Sequence, residues 1–236
     1  LIDALAKVIF FTPAQHLTLP DWQTDVNSLV ASFTFGESSA ASNRDYETWR
    51  DQLSNIDPMV EIADDDPCNI IYSSGTTGLP KGIKHIHRRR IQSMYELSLA
   101  HRYHFGVISI CPIGLYSNIA WASLFCALIV GGTCVIQERF DPKIWIDTVK
   151  QYHVTHTMMV PLQFQKILEA ENFAPYKVQS LQAIISGGSP LYADLKKTIA
   201  QQFGCAVIEL YGLTEGFMTT LQPEEAEGRM ASVGKP

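Results

Sequence analysis

From residue 89 onward, short apolar runs alternate with amphipathic stretches of about a dozen residues. The runs at residues 107–111, 133–137, 155–160, 181–186 and 205–210 predict strands. The stretches at residues 89–103, 118–130, 142–152, 161–171 and 191–203 predict helices. The helix at 142 has the clearest start, because Asp141 is a good N-cap and Pro142 suits the first helical position. Strands alternating with helices give the expected fold class: α/β, parallel sheets flanked by helices, within a larger domain. No solenoid-type repeat interrupts the pattern.

Residues 1–62 carry weaker signals. Apolar runs at 6–11 and 28–35 read as strands or short buried segments. Residues 43–54 predict a helix, with Tyr46, Trp49 and Leu53 on one face. Ala63-Asp64-Asp65-Asp66-Pro67 is a polar hinge whose three aspartates are assigned to solvent and to no metal. Residues 1–62 are therefore expected as one part of a large domain and residues 63–236 as its core.

Between Phe105 and Gln137 there is no Asp, Glu, Lys or Arg, which raises a membrane span. Pro112, Gly114 and Gly131-Gly132 break that stretch. A helix over 118–130 is about 20 Å long at ~1.5 Å per residue, too short to cross a bilayer. A buried helix followed by a strand is expected instead.

Composition adds little beyond this. Hydrophobic residues at 46% and charged residues at 18% are ordinary for a globular chain. A net charge of −6 gives no support for a general nucleic-acid binder. The local basic run Lys84-His85-Ile86-His87-Arg88-Arg89-Arg90 reads as a solvated face at the start of a helix, or as a lure for an anionic nucleotide. Cys68, Cys111, Cys126, Cys134 and Cys205 have neither Cys-x-x-Cys nor metal-ligand spacing. Free, mostly buried thiols in a reducing, cytoplasmic compartment are expected. The apolar residues 1–11 lack the basic region of a secretory signal.

The chemistry concentrates in residues 72–82, Tyr-Ser-Ser-Gly-Thr-Thr-Gly-Leu-Pro-Lys-Gly. Glycines let the backbone turn and approach a ligand closely. Successive N–H groups in such a turn form an anion-binding concavity. Ser73, Ser74, Thr76 and Thr77 add hydroxyl donors around Gly75 and Gly78, and Lys81 adds a mobile charge. That inventory suits a polyphosphate. It is not a Walker loop, since no Gly-Lys-Ser/Thr is present to hold magnesium. A P-loop phosphotransferase fails on the same point. Two further loops follow apolar strands: Ser186-Gly187-Gly188-Ser189-Pro190 and Tyr211-Gly212-Leu213-Thr214-Glu215-Gly216. In parallel α/β sheets, ligands sit beyond the carboxyl ends of strands.

Together these loops resemble those of the adenylate-forming (AMP-binding) enzymes, whose signature loop Tyr72 to Gly82 matches at every position. Val154-Thr155-His156, Val160-Pro161 and Ser232-Val233-Gly234-Lys235-Pro236 extend the likeness over residues 60–236. The Ser-Gly-Gly-Ser-Pro-Leu run at 186–191 is closer to the acyl- and aryl-CoA ligases. The resemblance implies ATP, Mg²⁺ and coenzyme A as cofactors and a small carboxylic acid as partner. It implies that Ser73 to Gly78 cradle the ATP phosphates and that Lys81 lies near the leaving pyrophosphate. Gly187, Gly188 and Ser189 would border the adenine, and Tyr211 would stack on it within the run Glu209-Leu210-Tyr211-Gly212. Thr214 would contact the α-phosphate and Glu215 would hold Mg²⁺.

Tyr116, Ser117, Trp121 and Pro161 are the implied acid pocket. The segment Cys111 to Asn118 departs from the family in having no histidine where an acyl-pocket histidine or aromatic is usual. It also has no acid to bind an α-amine, which favours a fatty or aryl acid over an amino acid. By the same resemblance, the ribose-binding motif and the small C-terminal domain are expected beyond Pro236. The chain alone would then be inactive. The alternative is a non-catalytic nucleotide-binding or scaffolding module.

Overall fold

Aromatic packing organises the first of two units, Leu1–Ala63. The structure, a computed structural model, describes residues 1–18, 25–36, 44–73 and 79–236. Here β1 (Val8–Phe11) lies parallel to β2 (Ala31–Thr34), which pairs with the short β3 (Arg44–Asp45). Between β1 and β2 runs α1 (Pro13–Thr18). The ring of Phe33 stacks on Phe10 at 5.2 Å and meets Trp49 at 4.3 Å. Trp49 belongs to α2 (Tyr46–Arg50), which the Asp45 carboxylate caps by accepting from the Thr48 amide. The helix expected over 43–54 is therefore only 46–50, and residue 43 lies outside the described residues. Leu53 is exposed, so a second turn had no apolar contact to hold it.

The second unit, Asp64–Pro236, contains two sheets. The antiparallel pair β4 (Pro67–Ser73) and β5 (Lys81–Ile86) leads directly into α3 (His87–Ala100). Then β6 (Ile108–Cys111), α4 (Asn118–Ile129), β7 (Thr133–Ile136), α5 (Pro142–Tyr152) and β8 (His156–Met159) follow. The chain continues through α6 (Pro161–Leu168), β9 (Ala183–Gly187), α7 (Ala193–Phe203), β10 (Ala206–Gly212) and β11 (Met218–Leu221). The larger sheet has the order β11-β10-β9-β8-β6-β7, parallel throughout except at β10–β11.

Side chains alternate between the faces of a strand, and this separates two cores. Met159, Ile184 and Val207 join Trp145 of α5, Phe164 of α6 and Ile199 of α7 in one cluster. Their chain neighbours Met158, Ile185 and Ile208 join Met94 of α3 and Cys126 of α4 in the other. The parallel sheet is thus covered on both faces, as such sheets require. Asp141 caps α5 from the Ile144 amide, as its sequence predicts.

The uncharged stretch resolves into α4 and β7. Among the described residues, no helix is long and apolar enough to cross a membrane. All five cysteines are free, with Cys111 and Cys126 buried and the other three half-buried. Burial pushes the Cys126, Cys134 and Cys205 thiols up to about 12.

Two expectations need correction. The basic run does begin α3, with Arg88 and Arg89 exposed, but Lys84 and His85 lie in β5 and Arg90 is only 7% exposed. Two of the three site loops are also hairpin turns, since β5 and β11 run antiparallel to the strands before them. Both return strands carry polar residues, and each forms only by pairing with its neighbour.

Candidate functional site

The loops after β9 and β10 leave the same edge of the sheet, because the strands are parallel and Gly187 pairs with Leu210. Beyond Gly187 the chain turns through Gly188 at φ +81°, a left-handed conformation that favours glycine. A Cβ on Gly188 would come within 2.8 Å of Ile119 Cδ1, so the backbone passes close to the start of α4. Ser186, at the end of β9, is buried and its hydroxyl has no partner.

After Gly212, Leu213 N donates to Phe217 O (2.9 Å) and Gly216 N to Leu213 O (3.1 Å). This tight turn carries Thr214 and Glu215 at its tip. The Glu215 carboxylate stands exposed there.

The hairpin β4–β5 supplies a third wall. Ser73 and Lys81 are register partners in this hairpin, and both line the cleft with residues of the loops after β9 and β10. Ser74, Gly75, Thr76, Thr77 and Gly78 lie outside the described residues. The hairpin is fastened to the β10–β11 turn by His85, whose Nε2 lies 2.7 Å from the Thr214 carbonyl. A carbonyl only accepts, so Nε2 carries the proton and Nδ1 is left as an acceptor. Arg90 Nη2 is 3.3 Å from that Nδ1. Burial, and then the adjacent guanidinium, lower the pKa of His85 against the opposing pull of the Thr214 carbonyl.

The cleft has a volume of about 1240 Å³. Of the residues read from sequence, Ser73, Lys81, Gly188, Leu210, Gly212, Thr214 and Glu215 line it, together with Tyr116 and Ser117. Trp121 instead lines a smaller cavity of about 300 Å³, where its Nε1 donates to Leu115 O (2.7 Å). Ile71, Tyr72 and Tyr116 line both spaces. Gly187, Ser189 and Tyr211 are at or beyond the strand ends without lining either space. Tyr211 is 45% exposed.

Two sequence candidates are buried in the fold. Pro161 is buried at the first position of α6. Glu209 is buried in an ion pair with Lys196 Nζ at 3.0 Å. Sequence reading noted His85 and Arg90 only as part of a basic run that could attract a nucleotide, and it missed Asn69 and Asn118. For Asn69 the available signal was a polar residue opening an apolar run.

A family model described as AMP-binding enzyme matches residues 1–236. Among curated relatives, the 4-coumarate–CoA ligase of Pinus taeda is 30% identical over 164 residues, covering 67% of this chain and 30% of the relative. The 4-chlorobenzoate–CoA ligase of an Arthrobacter species is 28% identical over 170 residues, 70% of this chain and 32% of the relative. The chain thus spans about a third of the length of the curated relatives it matches. Among solved structures, an anthranilate CoA ligase in complex with anthranoyl-AMP superposes with a TM-score of 0.88 at 21% identity. The match covers 100% of this chain and 46% of that one.

Proposed function

The chain belongs to the AMP-binding enzyme family, and from that premise we propose that its parent protein activates a carboxylic acid with ATP and passes the acyl group to coenzyme A. The acid carboxylate attacks the α-phosphorus, forming an acyl–phosphate bond as pyrophosphate leaves. The thiol of coenzyme A then attacks the acyl carbon, and AMP departs. The observation that carries this reading is the convergence of Lys81, Thr214 and Glu215 with Tyr116 and Ser117 on one cleft.

Within it, Lys81 would face the charge on the departing pyrophosphate. The Thr214 hydroxyl would donate to the α-phosphate, whose turn His85 holds in place. The absence of a side chain at Gly188 would admit the nucleotide base against the backbone. The exposed Tyr211 would stack on that base.

Glu215 fits a Mg²⁺ that arrives with the nucleotide. Among the described residues, no group of three His, Cys, Asp or Glu forms a protein cage. Mg²⁺ is ordinarily bound by one or two carboxylates plus phosphates and water. When bound, it would neutralise phosphate charge.

The names of the relatives, ligases of 4-coumarate, 4-chlorobenzoate and anthranilate, support an aryl acid over an amino acid. The lack of any acid between Cys111 and Asn118 supports the same choice. Acid-dependent ATP–pyrophosphate exchange, followed by detection of an acyl-CoA, tests the proposal in the full-length protein. No exchange across a broad panel of aryl and fatty acids would overturn it.

A further inference from the structure

Among the described residues, Arg90 is a buried cation without a counter-ion. Its Nε donates to Asn69 Oδ1 (2.9 Å), its Nη1 to Asn118 Oδ1 (2.6 Å) and its Nη2 to His85 Nδ1 (3.3 Å). All three partners are neutral. None of the ion pairs among the described residues includes Arg90. The run 74–78 contains no acid either. A guanidinium has five N–H donors, so two remain beyond these bonds.

Beside it is a second vacant donor. Arginine only donates, so the Asn69 amide must turn its oxygen to Arg90, and its Nδ2 is left buried with no partner. Burying a charge without a counter-ion beside an unpaired amide is costly, and an oxyanion on Arg90 would supply the missing counter-charge. The place is accessible to a ligand, because Arg90 lines the main cleft and Asn69 the adjoining cavity. The guanidinium also lies 5.3 Å from the ring of Trp121, which lines that cavity.

We propose that Arg90 and Asn69 form a specificity site for a second carboxylate on the far end of the acid, so that the preferred substrate is a dicarboxylic acid. The acid's reacting carboxylate would lie towards Thr214, and its body would occupy the apolar cavity between Tyr116 and Trp121. A cavity of about 300 Å³ is at the low end for small-molecule sites, which favours a single ring or a short chain. The inference rests on the acid-activation reading above.

The test is equilibrium binding by calorimetry to the full-length protein, with terephthalate against benzoate, adipate against hexanoate, and ATP and pyrophosphate as separate ligands. Wild type is expected to bind each diacid at least about tenfold more tightly than its mono-acid. Arg90→Gln should abolish that preference and Asn69→Ala should reduce it, each by more than it changes ATP affinity. If Arg90→Gln does not fold, Arg90→Lys and the wild-type ratio of diacid to mono-acid decide instead. Three outcomes overturn the proposal: equal affinity for both acid classes in wild type, a loss confined to ATP or pyrophosphate, or a lower melting temperature with no ligand effect. Diacid binding through Arg90 without any exchange activity would retain the site and reject acid activation. Exchange with mono-acids alone would do the reverse.

Discussion

His85 donates its Nε2 proton to the Thr214 carbonyl across 2.7 Å, so the strand after Lys81 holds the turn that carries Glu215. Replacing it with alanine frees both the turn and the guanidinium of Arg90. His85→Ala should raise the ATP concentration for half-maximal exchange about tenfold, the worth of one hydrogen bond of about 1.4 kcal/mol. The pKa of His85 is lowered mainly by burial, so the wild-type affinity should fall only below the usual histidine range. There a proton on Nδ1 would displace the Arg90 contact. A pH profile of ATP affinity for wild type and His85→Ala checks both statements.

Glu215 is expected to act through Mg²⁺ and not through the fold, because its carboxylate is exposed at the tip of a turn. Glu215→Gln should leave the melting temperature within about 1 °C, as surface changes usually do. It should raise the Mg²⁺ requirement of pyrophosphate exchange by at least about tenfold. A Mg²⁺ titration of exchange at fixed ATP reads the effect.

The buried pair Lys196–Glu209 makes a stability prediction. Its side chains are 4% and 9% exposed, so removing one partner leaves an uncompensated charge in the core. Lys196→Met should cost about 3–5 kcal/mol in urea unfolding. The double variant with Glu209→Leu should recover most of that loss. Full recovery of folding without recovery of ATP binding would return Glu209 to the site.

Acid should unfold the second unit through two buried histidines. Burial holds His101 down to about 3 and His156 to about 4. The unfolded chain takes up protons at these rings near pH 6.5 while the folded one does not, so stability is intact above that pH. It should fall as pH drops from about 6.5 towards 3, by up to about 1.4 kcal/mol per pH unit for each histidine. Urea midpoints measured between pH 7 and 4 test this. His156→Gln should flatten the slope.

Much of this was visible in local pattern. The strands and helices after residue 105 follow apolar periodicity, and the Asp141–Pro142 start needs only its own neighbours. Three site loops were legible because glycines and hydroxyls beside apolar runs have few other uses. The strands β5 and β11 were not legible, since Lys81–Ile86 and Met218–Leu221 exist by pairing with a neighbouring strand. Likewise, charge alone identifies Arg90 as a surface residue. Only the tertiary fold surrounds it with Asn69, Asn118 and Trp121.

By itself, then, the sequence determined the parallel α/β layers and the family of the chain. Both depend on periodicity and on residue types within short segments. The tertiary structure decided which of those residues share a cleft, where Glu209 is neutralised, and that Arg90 is buried without a counter-ion among the described residues. Such relations join positions as distant as His85 and Thr214, and the chain has to fold before they exist.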